Sequence, residues 1–167
     1  MTLTPDLIIE KIKNRHASAV LSTKVEFGEG TVSIKKGSLL DVCRFLHDDP
    51  ELYFDFITDI CSVDFIGHEE RFEVVYHFYS VRHNHRIRIK ARVPEDDAII
   101  DSLCPIWKGA NWLEREVYDL MGIKFKGHPD MRRILMPEDF AGHPLRKDYP
   151  TEGRGERSTF DFIPDID

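Results

Sequence analysis

With 167 residues, 41% of them hydrophobic and 32% charged, the chain can bury one core unaided, and its balance is neither that of a disordered nor of a membrane-spanning protein. A net charge of −7 excludes a generally basic surface of the kind nucleic acid requires. No apolar run approaches the roughly 20 residues of a transmembrane helix, and residues 1–16 mix acids with apolar residues and offer no small-residue cleavage site, so neither direct membrane insertion nor a secretory signal is expected.

The expected compartment is cytoplasmic. Cys43, Cys61 and Cys104 are odd in number and form no Cys-x-x-Cys pair. A disulfide framework is therefore not expected, and neither is an iron–sulfur cluster or structural zinc held by this chain alone.

Along the chain, Pro5 followed by Leu7, Ile8 and Ile12 predicts a helix ending near His16, with Thr4 as N-cap. "AVLSTKVEFGEGTVSIKK" (19–36) predicts two strands joined at a Gly-Glu-Gly turn, Val32 and Ile34 facing one way and Ser33 the other. In "GSLLDVCRFLHDDP" (37–50), Leu39, Leu40, Cys43 and Leu46 recur at helical spacing, with Ser38 as N-cap, Asp41 in the capping-box position and Pro50 past the end.

Three strands follow in "YFDFITDICSVDF" (53–65), "RFEVVYHFYSV" (71–81) and "HRIRIKARV" (85–93). The last alternates strictly, with Ile87, Ile89, Ala91 and Val93 on one face and Arg86, Arg88, Lys90 and Arg92 on the other. Two readings of that basic face stand: a solvated side of the sheet paired with Glu73, or a docking surface for an acidic partner. His77, His83 and His85 cluster near the hairpin, yet no carboxylate or cysteine is evidently supplied, so no metal site is expected there.

"PEDDAIIDSL" (94–103) predicts a helix opened by Pro94 and its acids, and "CPIWKGAN" breaks it. Asn111 is placed to cap a further helix, "WLEREVYDLM" (112–121), ended by Gly122. Beyond it periodicity fails. The order of elements predicts an α+β fold: a mainly antiparallel sheet covered by helices over residues 1–121, then an extended irregular C-terminal segment over 122–167. So long a structureless run is functional or ordered by a partner.

Leu113, Val117, Leu120 and Met121 share an apolar face of the last helix, and Arg115 and Asp119 are placed to pair along its exposed side. From Asn111 to Pro150 seven acids balance seven bases, interleaved with Trp112, Tyr118, Phe125, Phe140 and Tyr149, the composition of a desolvated contact. Glu114 or Glu116 with His128 or His143 would make an acid–base pair. No nucleophile elbow, phosphate loop, Gly-x-Gly-x-x-Gly or His-Glu-x-x-His accompanies them, so no catalytic, cofactor-binding or metal residue is assigned.

Glu114-Arg115-Glu116, Asp119, Leu120-Met121, His128, Arg132 and, two on, Ile134-Leu135, followed by "GHPLRKDYP" (142–150), form a pattern that resembles the 30 kDa subunit family of respiratory complex I, the NADH–quinone oxidoreductase of bacteria. The resemblance implies an α/β domain whose C-terminal segment lies on a neighbour. It implies a non-catalytic structural subunit of the peripheral arm, which supports electron transfer from NADH to quinone coupled to proton translocation. Flavin, iron–sulfur clusters and quinone would be held by partner subunits and none by this chain. The chief partner would be the quinone-pocket (49 kDa type) subunit, and the location peripheral, on the cytoplasmic side of the membrane.

By the same resemblance Glu114, Arg115, Glu116, Asp119, His128, Pro129, Arg132, Arg133, His143, Arg146, Lys147 and Asp148 belong to the motif and to hydrogen bonding within and between subunits. The end at "FIPDID" implies no fused quinone-pocket subunit and no long extension. Two alternatives are an equivalent subunit of a ferredoxin- or hydrogenase-linked complex, and a free-standing enzyme using Glu116 with His128.

Overall fold

The computed structural model of the protein describes residues 2–155. The part of the expected C-terminal segment beyond 155, "FIPDID" included, lies outside the described residues.

Helix α1 (Pro5–His16) begins at Pro5, whose fixed φ and missing N–H suit a first turn, and Thr4 stands at the N-cap without a side-chain cap bond. Its buried face is Ile8, Ile9 and Ile12; Leu7 points outward instead. Strands β1 (Val20–Glu26) and β2 (Glu29–Ile34) form a hairpin. The turn is Phe27-Gly28, both with positive φ, rather than Gly-Glu-Gly. Gly30 lies inside β2, where an added Cβ would stand 2.8 Å from Ile87 Cδ1, so the glycine serves packing there and not the turn.

Helix α2 (Leu39–Asp48) buries Leu39, Val42, Cys43 and Leu46, with Ser38 at its N-cap making no side-chain cap bond. Strands β3 (Phe56–Asp64), β4 (Phe72–Ser80) and β5 (His85–Val93) follow. The sheet order is β1-β2-β5-β4-β3. Only the β2–β5 pairing is parallel, so the sheet is mixed and mainly antiparallel within an α+β fold. Val32, Ile34, Phe72, Val74, Tyr76, Phe78, Ile87, Ile89, Ala91 and Val93 turn to one face and join the helices in a single core.

The opposite face of β4 and β5 is ionic. Lys90 and Arg92 both donate to Glu73 at 2.9 Å, as the first reading of the basic face expected. Glu29 on β2, which sequence alone did not implicate, receives Arg88 at 2.8 Å and Arg86 at 3.5 Å.

The helix expected over 94–103 does not form. Residues 94–98 are a loop, and β6 (Ile99–Asp101) pairs in parallel with β7 (Lys124–Lys126). Period-two burial explains this: Ile100 enters the core while Ile99 stays exposed. Helix α3 (Ala110–Met121) starts before Asn111, which lies inside it; Gly109 occupies the N-cap.

Gly122 ends α3 at φ 76° and donates its N–H to Tyr118 O at 2.8 Å. A Cβ here would stand 2.5 Å from both Arg146 Nη2 and His143 Cδ2. Gly122→Ala is therefore expected to cost more than the ~1 kcal/mol of a left-handed non-glycine residue. Urea unfolding checks this, and an unchanged midpoint would contradict it.

Candidate functional site

Helix α3 faces the core through Ala110, Glu114, Val117 and Met121, with Leu113 and Leu120 half-buried beside them. At about 100° per residue, Asp119 lies roughly half a turn away from that stripe, where a helix lying on a sheet meets solvent. It is nonetheless fully buried. What buries it is the C-terminal segment, which folds back over the outer side of α3.

Asp119 organises that segment. Its Oδ2 accepts the backbone N–H groups of Ile134 at 3.0 Å, Leu135 at 2.7 Å and Met136 at 2.8 Å, and its Oδ1 accepts Arg133 Nη1 at 2.7 Å. Burial alone would raise its pKa; the bonds from the Met136 N–H, Arg133, Leu135 and Ile134 outweigh it and hold the carboxyl below its ordinary range. The expected Arg115–Asp119 pair is thus replaced. Arg115 donates instead to the carbonyls of Arg132 and Arg133, both at 3.0 Å, while Arg133 Nη2 reaches Phe140 O at 2.8 Å and Gly142 O at 3.0 Å.

The last four carbonyls of a helix lack partners within it. In α3 the "GHPLR" stretch supplies three of the four. Gly122 N–H takes Tyr118 O; His143 Nδ1 donates to Asp119 O at 2.9 Å, Leu145 N–H to Leu120 O at 3.0 Å and Arg146 Nε to Met121 O at 2.7 Å. A cationic Arg146 and the positive edge of His143 also suit the negative end of the helix dipole. Burial, followed by the charges of Arg146 and Arg133, keeps the His143 pKa low.

A second clamp fixes the segment to the sheet. Arg71, buried where β4 begins, meets Asp64 at the end of β3 with two bonds of 2.8 Å, and extends Nη1 to Glu95 at 2.6 Å and Nη2 to Asp148 at 2.9 Å. Lys147 N–H donates to Asp64 Oδ2 at 2.8 Å. Arg71 holds the carboxyls of Asp64 and Asp148 below their ordinary range and is itself held firmly charged. Sequence reasoning missed Arg71 and Asp64. They lie far upstream of the motif, and only their seven-residue spacing across one hairpin could have pointed to them.

Glu114 plays a different part. It is fully buried, accepting Ser102 Oγ and Leu103 N–H, each at 2.6 Å, with Cys104 Sγ at 3.5 Å. Burial pushes its pKa up to about 7, although those three bonds pull it back. Cys104, Glu114 and His128 bring ligand atoms within 4.8 Å of one another. They do not form an open site. His128 Nδ1 accepts the Asp130 N–H at 2.9 Å and Nε2 donates to Asn111 O at 3.0 Å, so both ring nitrogens are taken.

The folded chain holds the Glu114 proton more tightly than the unfolded chain, where the pKa is about 4.3. Its contribution is complete below that value, declines as pH rises and is gone above about 7, a span of about 4 kcal/mol. Asp64, Asp119 and Asp148 act in the opposite sense and only in more acidic solution. Glu114→Gln is expected to flatten the pH dependence of urea unfolding between about pH 4 and 7, and an unaltered slope would contradict the assignment.

Of the remaining motif residues, Arg132 pairs with Asp130 in solvent, Pro129 and Lys147 are exposed, and Glu116 is exposed without a hydrogen bond to His128 or to any other of the described residues. The segment's outer surface carries large apolar side chains among its charges: Leu145 is 60% exposed, Leu135 56% and, on α3, Trp112 60%. A cleft of about 880 Å³ runs among Leu135, Pro137, Phe140, Pro144, Leu145 and Tyr149.

An α+β domain whose motif charges lock a coil onto a helix end is the class of protein that this fold and site define. Residues 32–155 match the family described as "Respiratory-chain NADH dehydrogenase, 30 Kd subunit". The chain is 50% identical to an NADH-quinone oxidoreductase subunit of Geotalea uraniireducens (strain Rf4) over 86% of each sequence. It is 44% identical to the equivalent subunit of Roseiflexus sp. (strain RS-1), over 96% of this chain and 92% of the other.

Among solved structures, "Nqo5 of the trypsin-resistant fragment (1-134) in P63 form" superposes with a TM-score of 0.66 at 29% identity, over 75% of this chain and 97% of that one. A chain in the "Structure of the membrane-bound sulfane sulfur reductase (MBS), an archaeal respiratory membrane complex" shares the fold, with a TM-score of 0.75 at 23% identity over 96% and 97%. The chain belongs to the 30 kDa subunit family of respiratory-chain NADH dehydrogenase. It is a subunit of NADH–quinone oxidoreductase, complex I, and its partners are other subunits of that complex. No helix among the described residues is long and apolar enough to cross a membrane.

Proposed function

We propose that this chain has no catalytic group of its own and serves the peripheral arm as a structural subunit. It presents the surface of residues 133–150 to the quinone-pocket (49 kDa type) neighbour, on the cytoplasmic side of the membrane. One observation carries the reading: Asp119, Arg133, Arg115, His143, Arg146 and Asp148 all make hydrogen bonds or ion pairs within the chain, while Leu135 and Leu145 stand exposed along one cleft. A rigid apolar patch with a polar rim is how obligate contacts are built.

Flavin, iron–sulfur clusters and quinone belong, on this reading, to partner subunits. Glu116 with His128 does not support a free-standing enzyme, because the histidine's nitrogens are both engaged. The fold shared with the sulfane sulfur reductase chain keeps a different electron donor as the second reading, whereas the identity to NADH-quinone oxidoreductase sequences favours NADH. Native mass spectrometry of the protein from its own cells tests the proposal. The chain should appear only in a large assembly beside a quinone-pocket subunit. A free monomer with quinone-reducing turnover would sink it.

A further inference from the structure

We propose that Asp59, Cys61 and His77 form a binding site for a divalent cation of the zinc type on the ionic side of the sheet. Asp59 and Cys61 are two apart on β3 and so share a face, and Asp59 pairs directly with His77 on β4. A carboxylate oxygen, the thiol sulfur and a ring nitrogen thereby come within 4.8 Å of one another. The histidine was visible in the sequence. The carboxylate and thiol it lacked stand on the neighbouring strand.

These three donors differ from the rest of that face in being uncommitted. None has a side-chain hydrogen bond or ion pair among the described residues, while the neighbouring cations do: Arg88 is held by Glu29 and Lys90 by Glu73. The donors of the buried trio Cys104, Glu114 and His128 are, by contrast, already engaged.

A mixed oxygen, sulfur and nitrogen set suits zinc or cobalt and disfavours magnesium or calcium, which prefer oxygen alone. Tetrahedral coordination at about 2.0–2.3 Å places donors roughly 3.5 Å apart. Asp59 and Cys61 are exposed and His77 half-buried, so rotamer adjustment can close the remaining distance. Water takes the fourth position.

Binding is coupled to one proton. The Cys61 S–H bond breaks, a sulfur–metal bond forms and the proton passes to solvent. Burial pushes the thiol's pKa up, with Asp59 on its own strand and Glu116 on α3 adding to this and Arg88 and Lys90 opposing it. Burial, with the charges of Arg88 and Lys90, lowers the His77 pKa against those of Asp59 and Glu29.

The test is a Co²⁺ titration of the full-length chain at neutral pH, read by absorbance. One equivalent should produce a thiolate-to-cobalt charge-transfer band that Zn²⁺ abolishes. The band should vanish in Cys61→Ser and persist in Cys104→Ser, and its midpoint should rise about tenfold or more in His77→Gln. All three are checked for an unchanged unfolding midpoint. Absence of the band, its survival in Cys61→Ser, or cobalt binding without sulfur character, which would mean an adventitious ion only, each overturns the proposal.

Discussion

Asp119→Ala is expected to loosen the C-terminal segment by about 3–5 kcal/mol, because one truncation strands the Arg133 fork and three backbone N–H groups together. The loss is local. If the segment lifts away, those groups regain water, so the effect should concentrate in residues 133–146 and leave the sheet intact. Amide hydrogen exchange reads it directly: the Ile134, Leu135 and Met136 amides should exchange roughly two to four orders of magnitude faster. Asp119→Asn keeps an acceptor for the N–H groups and should lose less. Uniform acceleration across the whole chain would contradict a local role for this carboxylate.

Arg71→Met carries the second large effect, again about 3–5 kcal/mol, since it leaves the buried Asp64 without its partner. The informative variant is the double one. Arg71→Met combined with Asp64→Leu removes both charges, and burying apolar groups in their place should restore much of the loss. Chemical denaturation of the wild type, both singles and the double closes the cycle. A double variant as unstable as the sum of the singles would show that the pair does not act as a unit.

The strongly periodic elements were legible in the sequence. The alternation of Ile87, Ile89, Ala91 and Val93 placed β5 and its basic face correctly, and Gly122 ended α3 where a left-handed residue was required. What failed did so where short signals compete. The acids after Pro94 resemble a helix start, but pairing of Ile100 with Phe125, distant in sequence, makes a strand of that region. Phe27 at positive φ is an uncommon turn residue, and it hid the true hairpin tip behind a more ordinary glycine pattern.

The motif was visible as residues and invisible as geometry. Helical spacing put Asp119 on the outer face and so paired it with Arg115; it could not show that residues 133–136 return to cover that face. The same is true of "GHPLR", whose histidine and arginine read as interface groups and prove to cap the carbonyls of α3. Arg71 and Asp64 had no motif at all. Contacts across such separations arise only from the folded path of the chain.

The central claim is that the motif charges brace this subunit internally and that the apolar surface outside them makes the contact. Reassembly of the complex with a Leu135→Glu/Leu145→Glu variant tests it most directly. Both side chains are exposed, so the isolated chain should unfold at an unchanged midpoint while its incorporation beside wild-type competitor falls roughly tenfold or more. Incorporation equal to wild type would contradict the account.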